Sequence, residues 1–259
     1  MIGGWFLAAL RHDRAVVLGG LALVVLLAWA YLVLAAGGGM ETMDMGGMAM
    51  RPRWTLGHGL LVFVMWAVMM LAMMLPSVAP VTLLIASLAR QRAASGAFVG
   101  ARTALFVCGY LAVWLAFAAA ATTLQWALSE AGLLSEAMAL TNTLLAGGVL
   151  VAAGIYQWTP LKAACLRHCR SPLDFLLFHW RDGTFGAVAS GLGHGAFCLG
   201  CCWMLMALLF VGGVMSLAWV AGIALLVLVE KTLPRGGRVS LGTGAVLVAW
   251  GAITLATAA

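Results

Sequence analysis

Charge is what this sequence has least of. Only 14 Lys and Arg and 8 Asp and Glu occur among 259 residues, while hydrophobic residues fill 64% of the chain. A soluble domain carries roughly a quarter charged residues, and no soluble core could bury so much apolar surface, so a water-soluble globule is excluded. Also missing is the alternation over about ten residues that marks the strands of a membrane barrel. Helices remain as the way to satisfy backbone groups in lipid. No internal repeat, phosphate-binding glycine loop or Ser-His-Asp order is present. Asp13, Asp174, Asp182, Glu130 and Glu136 all lie outside the apolar runs, which leaves no buried carboxylate relay for proton pumping. The basic residues punctuate the ends of those runs instead of gathering on one solvated face, so a nucleic-acid partner is excluded as well.

What is present is a series of long apolar runs, and about 20 residues are needed for a helix to cross roughly 30 Å of hydrocarbon. Seven are read here, over residues 16–36, 57–76 continuing to 89, 103–126, 140–158, 185–215, 217–233 and 239–259. The chain is therefore expected to be all-α, a polytopic transmembrane helical bundle forming a single domain over 1–259. The first run follows Arg11 and Arg14 but is longer than the apolar core of a secretory signal, and it reads as a span. Pro76 and Pro80 predict a kink or break in the second span, with Ser77 and Thr82 available to the freed carbonyls. The glycines of the fifth run favour a break there.

Lys and Arg accumulate in cytoplasmic loops. With the N-terminus inside, inner segments hold Arg11, Arg14, Arg90, Arg92, Arg102, Lys162, Arg167, Arg170, Arg181, Lys231, Arg235 and Arg238, and outer ones only Arg51 and Arg53. The reading is N-terminus inside and C-terminus outside, in an inner, cytoplasmic-type membrane whose lipid bilayer is the first partner. Trp5, Trp54, Trp126, Trp158 and Trp180 fall near span ends, where amphipathic rings sit. The six cysteines are split between an inner loop and the spans, and reduced thiols are expected.

The densest chemistry lies in the fifth span, Gly191 to Trp203. On a regular helix His194, Cys198, Cys201 and Cys202 fall at about 0°, 40°, −20° and 80°, on one face. His194 and Cys201 are about 10.5 Å apart along the axis, too far to share one ion unless the helix breaks at its glycines or a partner helix completes the site. Thiolates and thioethers select soft ions, Cu(I) above all, and zinc suits thiolate with imidazole. The alternative is that these are packing residues, and Ala187, Gly191 and Gly195 do form a small-xxx-small ridge. Three cysteines in five positions after a membrane histidine favour metal, because ionisable groups in spans are functional by default.

Methionine forms a second constellation. Met40, Met43, Met45, Met48 and Met50 lie with Glu41 and Asp44 in an outer loop, 37–53, and His58 follows. Met65, Met69 and Met73, with Met70 and Met74, make two adjoining ridges on the second span, a pattern that packing alone also produces. A third constellation, Cys165, His168 and Cys169, sits in the basic inner loop 159–184, where binding to anionic lipid competes with metal binding as the explanation. Glu230 beside Lys231 could snorkel, pair, or complete a hard metal site.

Four motifs together resemble one family: Met-Met-Leu-Pro-Ser from Met73, Tyr-Gln-Trp-Thr-Pro-Leu-Lys from Tyr156, Cys-Leu-Arg-His-Cys-Arg-Ser-Pro from Cys165, and His194 through Trp203. The chain is similar over about 54–235 to bacterial integral membrane proteins described as predicted metal-binding proteins. That resemblance implies a metal at His194, Cys198, Cys201 and Cys202 and a bacterial inner membrane, and assigns no reaction. Copper follows from ligand type, with zinc or iron as alternatives.

The leading expectation is copper(I) handling without catalytic turnover, by acquisition, transfer or transport. It implies an outer metal-donor protein or a membrane enzyme as partner, and oligomerisation stays open. The alternatives are a membrane metalloenzyme, or a metal-bearing subunit of one, whose ion keeps an open coordination position, and a metal-free structural or assembly subunit.

Overall fold

The computed structural model describes residues 3–37, 54–92, 97–178, 180–181, 183–233 and 236–258. Ten helices occur among them: α1 (Gly3–Gly37), α2 (Leu56–Arg92), α3 (Ala97–Glu130), α4 (Thr143–Tyr156), α5 (Pro160–Arg170), α6 (Pro172–Phe178), α7 (Thr184–Ala207), α8 (Leu209–Gly212), α9 (Leu217–Thr232) and α10 (Gly236–Ala256). The only extended pairing among the described residues is an isolated bridge between Leu134 and Leu140. The fold is all-helical, and five helical stretches are long and apolar enough to cross a membrane: Ala15–Ala36, Leu56–Ser87, Gly100–Glu130, Thr184–Gly212 and Gly236–Ala256.

One of the seven expected spans, the fourth, is shorter than the sequence suggested. α4 begins only at Thr143, because Asn142 caps it by accepting from the Leu145 amide at 3.0 Å. Its 14 residues reach about 21 Å. After Tyr156 the chain turns by 64° into α5. Thr159 and Pro160 dictate that turn: the threonine hydroxyl accepts from the Lys162 amide and the proline occupies the first helical turn, where no amide donor is needed. The basic segment 159–184 is therefore not an open loop. It carries α5 and α6, and α5 packs on α7. α9, with 16 residues, is about 24 Å long.

Two expected breaks also resolve differently. α2 runs unbroken through Pro76 and Pro80. The single hydroxyl protons of Ser77 and Thr82 go to the carbonyls of Met74 and Ala79, each at 2.8 Å, and not to the carbonyls that the prolines leave without a donor. α7 is likewise continuous through Gly191, Gly193, Gly195 and Gly200. The interruption comes later, at Leu208, where the Trp219 indole donates to the Leu208 carbonyl at 2.7 Å and Gly213 turns the chain with φ of +90°.

Glycine sets the helix spacing. A methyl group on Gly191 would run into the backbone of Phe106 and Tyr110, and one on Gly109 into the backbone of Val188, so α3 and α7 touch backbone to backbone. The small-residue ridge of Ala187, Gly191 and Gly195 is this contact. Gly147, Gly154, Gly244 and Gly251 do the same between α4 and α10. α1 lies along α2.

The two ends of the bundle are tied separately. At one, the α3–α4 connection meets α8 through the Leu140 amide and Phe210 carbonyl, 2.7 Å apart. At the other, Lys162 of α5 forms an ion pair with Glu230 of α9 at 2.7 Å, with both side chains 1–2% exposed. Gln157 accepts a hydrogen bond from the same ammonium, and Ser240 of α10 donates to the Glu230 carboxylate at 3.1 Å. Glu230 is thus committed to a structural pair.

Two substitutions test this framework by thermal unfolding in detergent. Gly191→Val should cost about 1–3 kcal/mol by overpacking, whereas Gly193→Ala, which faces open space, should be neutral or slightly stabilising. Lys162→Met leaves the Glu230 carboxylate without its ammonium and should cost about 3–5 kcal/mol. Adding Glu230→Leu should restore part of that loss.

Candidate metal centre

α7 presents a regular stack of polar side chains toward the inside of the bundle. His194, Cys198, Cys201 and Cys202 are each 1–2% exposed, so the single face read from the sequence is the buried one. The close α3 contact and the covering α5 and α9 provide that burial. All six cysteines are free thiols.

The thiols are already hydrogen-bonded. Cys201 and Cys202 both donate to the Cys198 carbonyl, at 3.0 and 2.9 Å. The Cys198 sulfur lies 3.0 Å from the Tyr110 hydroxyl and 2.9 Å from the Lys231 ammonium. Lys231 also approaches the Ser77 hydroxyl at 3.3 Å and the Met74 sulfur at 3.9 Å. The Tyr110 hydroxyl donates to the Met74 carbonyl at 3.2 Å. Two helices, α3 and α9, therefore meet at one sulfur of α7, and α2 joins them through its contacts with Tyr110 and Lys231.

A fourth helix contributes a thiol. Cys169 of α5 is buried, with its sulfur 3.9 Å from that of Cys201, and it interacts with Cys198 as well. A partner helix, and not a broken α7, brings the additional soft donor. Among the described residues no group of three or more His, Cys, Asp and Glu side chains is arranged to hold an ion in this conformation. The cause is visible in the bonding: Cys201 and Cys202 point at a carbonyl, and Cys198 points at an ammonium.

His194 sits one turn before Cys198 in an aromatic surround. Ring centroids of Phe175, Phe106 and Tyr110 lie 4.9, 5.9 and 6.0 Å away. Its Nδ1 is buried without a hydrogen-bond partner among the described residues, and an orphaned polar atom of that kind costs about 1–3 kcal/mol unless something binds it.

The cluster read as Cys165, His168 and Cys169 is not gathered as a unit. Only Cys169 turns into the core. His168 stacks on Phe197 at 4.3 Å, with its Nδ1 2.9 Å from the Ala164 carbonyl, while Cys165 is half-buried against Gly200. Helical spacing places the three within one turn, but the burial of α5 on α7 sorts them by direction.

Of the α2 thioethers, Met69 and Met73 are buried and Met65 is partly buried within the apolar core. The one nearest the polar cluster is Met74, whose sulfur lies 3.9 Å from the Lys231 ammonium. Met43, Met45 and Met48 lie outside the described residues. Tyr110 and Lys231 were not singled out from sequence as parts of the site, whereas Met74 belongs to the methionine stripe already read on the second span. The signal for Lys231 was an adjacent pair of opposite charges closing an apolar run. Neighbours on a helix point about 100° apart, so Glu230 and Lys231 necessarily serve different partners.

A family model described as PpoB2, copper chaperone, matches residues 63–254, a stretch that holds every thiol, hydroxyl, thioether and ammonium of this cluster and extends through most of α10. No curated protein and no solved structure matches the chain. With about three quarters of its length matched, the chain belongs to the PpoB2 copper chaperone family.

Proposed function

We propose that this protein is an integral membrane copper chaperone that binds Cu(I) as cargo at a thiol centre built from Cys198, Cys201 and Cys169, and surrenders it to a protein acceptor without chemical turnover. The observation that carries the reading is the meeting of α5 and α7 thiols inside the bundle. With metal–thiolate bonds of about 2.3 Å, the length found for zinc, two sulfurs as far apart as those of Cys169 and Cys201 subtend about 115° at a shared ion. That angle suits a trigonal or tetrahedral site.

Soft sulfur donors favour Cu(I) over hard ions, and membership of a copper chaperone family points the same way. Rotation of the Cys198 and Cys201 side chains away from their present partners completes the donor set. His194 Nδ1, with no hydrogen-bond partner among the described residues, is the nitrogen available one turn away, and Cys202 is a reserve thiol on the same face. The methionines of 37–53, Met43, Met45 and Met48 among them, are assigned to capture copper on the outer side.

The topology proposed is seven passes in one domain of a bacterial inner membrane, with the N-terminus inside. In it α4 and α9 are short crossings, and the bend into α5 places the basic inner segment at the lipid surface. The Lys162–Glu230 pair and the contact of Arg170 with the Leu233 carbonyl gather basic residues at the end assigned to the cytoplasm. The C-terminus is then outside.

Metal analysis by mass spectrometry tests the cargo. Anaerobically purified protein loaded with Cu(I) should hold about one copper per chain at the thiol centre. Cys198→Ser/Cys201→Ser should lose it, Cys169→Ser should weaken it, and Cys165→Ser should keep it. A well-folded wild type that takes up no copper ends this reading, and zinc or iron in its place reassigns the cargo. Reporter fusions test the topology: alkaline phosphatase at the C-terminus should be active and a fluorescent protein there dark, and the reverse pattern would refute the orientation.

A further inference from the structure

Two lysines are buried in this bundle, and they are met by different chemistry. Lys162 has the partners an ammonium ordinarily finds, the carboxylate of Glu230 at 2.7 Å and the amide oxygen of Gln157. Lys231 instead lies between sulfurs, 2.9 Å from Cys198 Sγ and 3.9 Å from Met74 Sδ, with one oxygen, Ser77 Oγ, at 3.3 Å. A thioether is a weak hydrogen-bond acceptor, so this surround is poor for an ammonium. A thioether facing a thiol is a good surround for Cu(I).

The position of Met74 adds direction. It stands at the inner end of the ridges that begin at Met65. Trp66, near the start of those ridges, packs on Phe210 at 5.3 Å and donates to Gln125 at 2.6 Å. Both partners lie at the end of the bundle where the α3–α4 connection meets α8. From Trp66 to Met74 is about 12 Å along the helix, and Met69, Met70, Met73 and Met74 are all buried on the way. The Tyr110 hydroxyl then touches both the Met74 carbonyl and the Cys198 sulfur, which fixes the two helices against each other at the gap the ammonium fills.

We propose that Met74 passes Cu(I) to Cys198 and that the Lys231 side chain is the plug copper displaces to make that transfer. The proposal rests on the copper chaperone reading above. In the transfer the bond from copper to the Met74 sulfur breaks as the bond to the Cys198 sulfur is made, and the Cys198 thiol releases its proton to the buffer as it becomes the metal-bound thiolate. Copper stays Cu(I), so no electron moves and no oxidant is needed. The ammonium gives up its hydrogen bond to Cys198, keeps its three protons and retains Ser77. One cation replaces another on the same sulfur.

Stopped-flow loading of the purified full-length protein from a weak colorimetric Cu(I) chelator separates rate from capacity. Met74→Leu, a volume-conserving change, should reach the wild-type copper content several-fold more slowly. Lys231→Gln, which keeps an amide donor for Ser77, should reach that content faster than wild type. Each variant decides separately, so misfolding of one leaves the other as the test. Wild-type loading rates in Met74→Leu, or slower loading in Lys231→Gln, would overturn the transfer step while the Cys198→Ser/Cys201→Ser result still stood. A folded wild type that binds no copper would instead remove the reading on which the step rests.

Discussion

Placing an ammonium in an apolar interior is costly unless something nearby meets its charge and its hydrogens, and the interior of this bundle is organised around two such groups. Lys162 draws together the end of α4, the start of α5, the end of α9 and the start of α10 through Gln157, Glu230 and Ser240. Lys231, the next residue after Glu230, reaches the other way, to α2 and α7. One helix terminus therefore anchors both halves of the structure, and the thiol centre lies between the two anchors. The depth at which Cys198 is held follows from where α9 ends.

The close α3–α7 contact supplies the second constraint. Because Gly191 and Gly109 lack side chains, the two backbones come near enough for the Tyr110 hydroxyl to reach Cys198 Sγ at 3.0 Å. A wider crossing would leave both buried groups without their partner. The same contact buries His194 among Phe106, Tyr110 and Phe175 and excludes solvent from its unpartnered nitrogen. Packing and chemistry are not separable at this interface, because the ridge of small residues is what allows the polar stack to be buried.

Much of this was legible in the sequence because it depends on period and composition. Long apolar runs gave the helices, the 100° wheel gave the shared face of His194, Cys198, Cys201 and Cys202, and small residues four apart gave the α3–α7 ridge. What was not legible depends on the direction of individual side chains and on capping. Thr159 with Pro160 is a helix start that cuts short an apolar run, and so converts an expected loop into α5. Once α5 packs on α7, Cys169 and His168 separate although they are neighbours in the chain. Lys231 was hidden for a similar reason, since a lysine near a span end reads as one that snorkels to the surface, and only the approach of α2 and α7 shows it turned inward.

The centre holds its sulfurs in hydrogen bonds that a metal would replace, and this suits a chaperone better than a storage site or an enzyme. A site that is rigid and complete binds its ion tightly and releases it slowly, because dissociation leaves a set of converging donors with nothing between them. Here the metal-free state has its own bonding: Cys201 and Cys202 on the Cys198 carbonyl, Cys198 on Tyr110 and Lys231. Each hydrogen bond to or from sulfur regained on release offsets part of a metal–sulfur bond lost. The free-energy difference between loaded and empty forms is thereby reduced without weakening the preference for a soft ion, which resides in the sulfur itself. In the proposed chaperone, selectivity and release would then be set by different atoms, the thiols for the first and their present partners, Lys231 above all, for the second.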